Sequence, residues 1–288
     1  MSKKIIITGA NGFIGSHLIR FFSKMNWEVI AMVRKIPVAE KSNVVYASYN
    51  LSQPVDESFF QKADYLIHCA FVKNEISPNV EGAKNILNIS RKYGIIKNIF
   101  LSSFSAKDSA LSNYGKQKVA VEKLFNSEKD CVIRAGVVLG NGGLFKQMND
   151  YLILGKIIPL IGSGKQPLQT ILIDDLILVI EKVISENLNG RFSVADPVPV
   201  LYKDFFSTLS ELQGRKPRFI SIPVSFLNAL LFFSELFHIP LPVSRENVLG
   251  LKSMERVETE NDLRKINVTL KNFRESILFL MQREKKKN

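Results

Sequence analysis

Three glycines, spaced three apart in Gly9-Ala10-Asn11-Gly12-Phe13-Ile14-Gly15, constrain this chain more than any other feature. They follow a short apolar run, Lys4 to Thr8, and precede apolar residues at helical spacing, Ile14, Leu18, Ile19 and Phe22. The order is strand, turn, helix. Gly9 permits the tight turn, Gly12 lets the backbone approach a ligand, and Gly15 lets helix and strand pack closely. The helix N-terminus beyond them offers unpaired N–H groups to an anion. A dinucleotide's pyrophosphate fits that description, so Gly9, Asn11, Gly12, Phe13, Ile14 and Gly15 are expected to bind one.

The same alternation continues along the chain. Strands are expected at Glu28 to Val33, Val44 to Ala47, Tyr65 to Cys69, Asn98 to Leu101 and Cys131 to Ile133, with helices near Pro78 to Tyr93 and after Ser112. Strands alternating with helices imply an α/β fold with a doubly wound parallel sheet. After Gly140 the chain is broken by Gly142, Gly143, Gly155, Pro159, Gly162, Gly164 and Pro167. Strands at Ile171 to Ile173 and Arg191 to Val194, with a helix Asp175 to Ile184 between them, then return to the first pattern. The expected division is a dinucleotide-binding domain of residues 1–140 with 168–196, and a smaller, mainly C-terminal substrate lobe of 141–167 with 197–288.

With 288 residues, 46% of them hydrophobic, the chain can bury a large core and a second lobe. A net charge of +12 would draw anionic ligands. The cations are scattered, without a basic stripe interleaved with aromatics, so nucleic acid is not expected as a partner. The basic end, Arg283 to Lys287, is expected to be a solvated, frayed terminus. Cys69 and Cys131 sit in apolar, strand-like runs and are expected to be small buried hydrophobes in a reducing compartment. The start of the chain lacks the long apolar core of a secretory signal, so a cytoplasmic location is expected. Val224 to Val243 is strongly apolar but is bounded by Pro223 and interrupted by Asn228, Glu235, His238 and Pro240. It is too short to span a bilayer, leaving a buried helix, a homodimer contact or a membrane-surface contact as its uses. His17, His68 and His238 lack metal-ligand spacing, and His68 reads as packed at a strand end. Asp174-Asp175 is read as the N-cap and first turn of a helix.

Cofactor choice is expected at the end of the second strand, where a carboxylate would accept from the ribose of NAD. Arg34 and Lys35 occupy it. A cation there pairs with a 2′-phosphate, which favours NADP over NAD. Tyr114 and Lys118, four apart, share one helix face. An ammonium beside a phenol stabilises the phenolate and is expected to lower its pKa from about 10. The Ser102-Ser103 pair ends the preceding strand, at the edge of the sheet where such folds bind ligands.

These residues, with Thr8 to Gly15, Ile67-His68-Cys69-Ala70, Asn79-Val80-Glu81-Gly82, Leu101-Ser102-Ser103, Tyr114-Gly115-Lys116-Gln117-Lys118 and Arg134-Ala135-Gly136-Val137-Val138-Leu139-Gly140, resemble the extended short-chain dehydrogenase/reductase family. The resemblance covers about the first 200 residues. It implies a Rossmann fold and an NAD(P)-dependent oxidoreductase or epimerase acting on a nucleotide-linked sugar, as in polysaccharide biosynthesis. It implies Tyr114 as general acid/base, Lys118 as the ribose-holding cation, and Ser103 as donor to the reacting oxygen, with Ser102 and Ser105 as neighbours able to take that role. Asn50 and Leu51 would lie beside the adenine, and Cys69, Ala70 and Phe71 along the ribose and diphosphate. Departures from the pattern fall around the pocket: a short Ala70 to Asn79 loop, Ala135 where the family has proline, and eleven positions between Ser103 and Tyr114. No Asp-Glu pair follows Ser103, so elimination of water is not expected. The alternatives are a family reductase of a non-sugar carbonyl or hydroxyl compound, and a non-catalytic NADP(H)-binding scaffold.

Overall fold

The computed structural model describes residues 2–37, 43–72, 75–155, 157–223 and 245–286. The apolar run Val224 to Val243 lies outside them. Its larger sheet contains β1 (Lys4–Thr8), β2 (Glu28–Val33), β3 (Val44–Ser48), β4 (Tyr65–His68), β5 (Lys97–Ser103), β6 (Cys131–Ala135) and β11 (Gly190–Val194). Their spatial order is β11-β6-β5-β4-β1-β2-β3, with every neighbouring pair parallel. Parallel strands need crossovers, and helices supply them on both faces. That is why the middle of β1 is apolar, with Ile5, Ile6 and Ile7 all fully buried.

One face packs Ile5, Ile7, Ala31, Ile67 and Leu101 against α1 (Phe13–Lys24) and α5 (Ile173–Ser185), through Leu18, Phe22, Leu176, Ile180 and Val183. Leu263 and Ile266 of the short helix α8 (Glu260–Ile266) join that core. The opposite face packs Ile6, Met32 and Leu66 against Ile86 and Ile89 of α2 (Ile76–Lys92). There too, Phe100 and Val132 pack against Val121 of α3 (Asn113–Glu122). A separate apolar cluster joins α4 (Gly143–Leu154), β8 (Ile157–Ile161), α6 (Tyr202–Leu212) and α9 (Phe273–Lys285), through Phe145, Leu160, Phe205, Phe206 and Phe273.

Three details differ from expectation. Gly142 and Gly143 do not end structure but open the twelve-residue helix α4. The glycines are needed because any side chain at 140, 142 or 143 would strike the Phe13 ring. Asp174 and Asp175 occupy the first turn of α5, as expected, but the N-cap is Leu172, without a side-chain cap. Both carboxylates instead anchor the C-terminal segment, Asp175 accepting from Lys271 and Asp174 from Arg283. The basic terminus is therefore not uniformly frayed, since α9 runs to Lys285 and Arg283 is paired. Among the described residues no helix is long and apolar enough to cross a membrane.

Candidate active site

The chain leaves the sheet after β3 and re-enters at β4 on the other side of β1, so the carboxyl ends of β1 and β4 frame a crevice. Thr8 and His68 end those strands and are paired in register. Thr8 Oγ1 accepts from the Cys69 and Ala70 amides, each at 3.2 Å, which leaves its own proton for His68 Nδ1 at 2.8 Å. His68 is thus a buried, neutral imidazole, as the sequence led us to expect of a packed strand end. Its desolvation, aided by the Lys118 charge, lowers its pKa to about 3.

The glycines meet this framework by contact. Gly9 has φ +63° and lies so close to Ala70 that a Cβ would stand 2.8 Å from its backbone. A Cβ on Gly15 would come within 2.4 Å of the Gly9 carbonyl, whereas one on Gly12 would meet only that same oxygen, at 3.0 Å. Gly15 therefore serves packing, and Gly12 faces open space. Helix α1 begins after Gly12 with no side-chain cap and no acidic residue in its first turn, so its positive end is uncompensated.

The crevice wall is formed by Gly9, Asn11, Gly12, Arg34, Asn50, Leu51, Cys69, Ala70 and Phe71. All of these were singled out in the sequence. Met32, Tyr49 and Val72 complete the wall. They were missed because an apolar or aromatic residue at a strand end carries no motif. Phe13 and Ile14 are not part of this wall, and the Phe13 ring lies instead under the Gly140 to Gly143 turn. Among the described residues the wall carries one cation, Arg34, and no carboxylate. The Tyr49 hydroxyl is buried in it without a hydrogen-bond partner among the described residues. An anionic ligand with further acceptors matches those groups, so a dinucleotide's adenosine and diphosphate fit the residues present.

Tyr114 and Lys118 project from α3, which Ser112 caps by accepting from the Gly115 amide. Gly115 admits no side chain because the Ser105 carbonyl would lie 2.2 Å from a Cβ. From the C-terminal segment, Glu246 accepts from the Asn113 amide at 2.8 Å. The far end of α3 is tied to β6 by Glu122, which accepts from Arg134 through Nε at 2.9 Å and Nη2 at 2.6 Å. Nothing in their local sequence marks Glu246 or Glu122 as fixing this helix.

The structure brings Ser103, Tyr114 and Lys118 together. Ser102 is buried and donates to Glu122, which removes it as a partner for a ligand. Ser103 faces Tyr114, and its hydroxyl acts to lower the phenol's pKa. Contrary to the sequence expectation, the net shift of Tyr114 is upward, because desolvation of its hydroxyl outweighs that effect even though the residue as a whole is 38% exposed. Lys118 does not offset it in this arrangement. Its Nζ donates to the Leu101 carbonyl at 2.7 Å and lies 5.8 Å from the centre of the Tyr114 ring. Burial in turn lowers the pKa of Lys118 to about 8. The Cys69 thiol is pushed up to about 12 by burial and stays protonated, as does the fully buried Cys131.

A family model described as the NAD dependent epimerase/dehydratase family matches residues 5–195. A ceramide reductase from Caulobacter vibrioides is 28% identical over 162 residues, 49% of this chain and 50% of that protein. A putative UDP-glucose 4-epimerase from Methanocaldococcus jannaschii is 32% identical over 120 residues, 35% of this chain and 38% of that one. The alignments thus span half or less of these curated relatives. In fold, MoeE5, solved in complex with UDP-glucuronic acid and NAD, superposes with a TM-score of 0.77 at 17% identity, over 99% of this chain and 100% of that one. With the match covering most of the chain and the glycine-lined crevice in place, this protein belongs to the NAD dependent epimerase/dehydratase family.

Proposed function

We propose that the protein is a reductase or 4-epimerase of a nucleotide-linked sugar, with Tyr114 as the acid/base. The observation that carries this reading is the meeting of Ser103, Tyr114 and Lys118 at the end of the sheet that also holds the glycine-lined crevice. The cofactor supplies hydride exchange at its nicotinamide. The chain's own residues do the rest. The first turn of α1 and Gly12 hold the diphosphate, while Arg34, Asn50 and Leu51 hold the adenosine end. Tyr114, protonated at neutral pH in this arrangement, gives its proton to the substrate oxygen as the carbonyl is reduced, and takes one back in the reverse direction. Ser103 donates a hydrogen bond to the same oxygen and orients it. Lys118 supplies a positive charge beside the phenol and donors for a ribose.

NADP is the proposed cofactor. Among the described residues Arg34 is the cation of a crevice wall without carboxylates, and Asn50 carries no charge where the resemblance pattern has aspartate. NAD, present in the MoeE5 complex, is the alternative. The proposed substrate-binding part is residues 141–167 with 197–288. The proposed setting is the cytoplasm, which suits two unpaired thiols. The place in metabolism is polysaccharide synthesis.

A second reading is favoured by one relative: the ceramide reductase suggests a long-chain lipid carbonyl as substrate, in keeping with the apolar sequence from 224 to 243. One assay decides between them. Purified protein is incubated with NADPH or NADH and, in parallel, UDP-glucose, UDP-glucuronic acid, a nucleotide-linked 4-keto-sugar, or a long-chain 3-keto-lipid in micelles. Turnover or 4-epimer formation with a sugar nucleotide supports the first reading. Turnover of the lipid alone replaces it with the second.

A further inference from the structure

Lys118 is a buried cation with few conventional partners. An ammonium has three N–H groups, and among the described residues the Leu101 carbonyl is the one hydrogen-bond acceptor for them. The remaining neighbours are ring faces: Phe100 at 4.6 Å, Phe71 at 4.8 Å and Tyr114 at 5.8 Å from Nζ. Ring faces attract a cation, and more strongly where water is excluded.

The three rings differ in what holds them. Phe100 is fully buried and stacks on Phe125 at 5.2 Å, so it belongs to the core. Tyr114 is on the same helix as Lys118. Phe71 stands on the loop after β4, half-buried in the crevice wall, with its ring edge-on to Tyr114 at 5.1 Å and 79°. Its ring thus meets both members of the pair.

Other charged and titratable groups around Lys118 do not replace it. On β4 and just beyond, His68 is neutral and Cys69 is a protonated thiol at neutral pH. On α3, Glu122 favours the ammonium, but its carboxylate is already held by Arg134 from β6. Tyr114 is an uncharged phenol.

We propose that Phe71 is a positioning residue whose ring face keeps the Lys118 ammonium protonated and in place beside Tyr114. The consequence for turnover rests on reading Tyr114 and Lys118 as the catalytic pair, whereas the effect on Lys118 itself does not. Because burial has already drawn Lys118 to about 8, a modest loss of attraction brings its midpoint toward neutral pH and leaves part of the population uncharged there.

The test is a pH titration of the Lys118 Cε resonance in the full chain labelled with [13C]lysine, assigned by its loss in Lys118→Arg. Phe71→Leu removes the ring face at similar bulk and is expected to lower the midpoint by roughly half to one pH unit. Phe71→Tyr, which keeps the face, is expected to retain the wild-type midpoint. Tight binding of NADPH, measured by fluorescence, is expected to fail at correspondingly lower pH in Phe71→Leu only. An unchanged midpoint in Phe71→Leu overturns the proposal, and so does an equal shift in Phe71→Tyr. Should Phe71→Leu not fold, Phe71→Met is read by the same criteria. If the midpoint shifts as expected but Tyr114→Phe leaves turnover intact, Phe71 keeps this role and the catalytic reading fails.

Discussion

The Thr8 hydroxyl donates to His68 Nδ1 at 2.8 Å while accepting two amides of the loop that follows β4. A protonated His68 would have a donor at Nδ1 and would break this arrangement. Its folded pKa of about 3 lies below its ordinary value of 6.5, so below pH 6.5 the unfolded chain binds a proton that the folded chain does not. The stability attached to neutral His68 is therefore complete above pH 6.5 and is lost as pH falls toward 3. Urea unfolding between pH 7 and 4 is expected to show a loss from this group of up to about 1.4 kcal/mol per pH unit. His68→Gln is expected to flatten that slope.

Gly12 and Gly15 are expected to fail differently. Gly15→Ala forces a Cβ into the Gly9 and Ala10 backbone and should cost about 1–3 kcal/mol of stability, read by thermal melting. Gly12→Ala meets only the Gly9 carbonyl and should melt near wild type, yet bind NADPH at least roughly tenfold more weakly, because its methyl takes the place of the diphosphate.

Arg34→Asp places a carboxylate in a crevice wall that has none among the described residues. Measured by fluorescence titration, NADPH affinity should fall by roughly 10- to 100-fold, the worth of a charge-assisted pair, while NADH affinity should hold or rise. Wild-type preference for NADH would contradict the cofactor assignment.

The Tyr49 hydroxyl, buried without a partner in the same wall, gives a smaller prediction. If the adenosine end of the cofactor satisfies it, Tyr49→Phe should weaken NADPH binding about three- to tenfold without lowering stability, since no hydrogen bond of the free protein is lost. Unchanged affinity would exclude that contact.

The succession of strands and helices along the chain and the crevice were legible because their signals are local. The apolar runs at Lys4–Thr8 and Glu28–Val33 coincide with the strands observed, and the glycine spacing fixed where the first helix begins. What was not legible depended on residues far apart in sequence. The Gly140 to Gly143 stretch reads as a break until Phe13, more than 120 positions earlier, is seen to fill the space that side chains would need. The upward shift of Tyr114 has the same origin: a four-residue spacing shows that a phenol and an ammonium share a helix face, but not that the ammonium turns to the Leu101 carbonyl and two phenylalanine rings. Arg283 looked like part of a loose basic tail because its partner, Asp174, is 109 positions away.

The Tyr114 hydroxyl itself offers a kinetic test. Tyr114→Phe keeps the ring that packs on Phe71 but removes the proton. On the substrate found by the assay above, turnover should fall by about 10²- to 10⁴-fold with cofactor affinity nearly unchanged.

A crystal structure of the protein with NADP decides where the dinucleotide sits. A diphosphate is expected on Gly12 and the first turn of α1, with nicotinamide C4 facing Tyr114 across a gap of roughly 3–4 Å that a substrate carbon and oxygen can bridge. A dinucleotide bound elsewhere, or one whose nicotinamide points away from Tyr114 and Lys118, would contradict that placement.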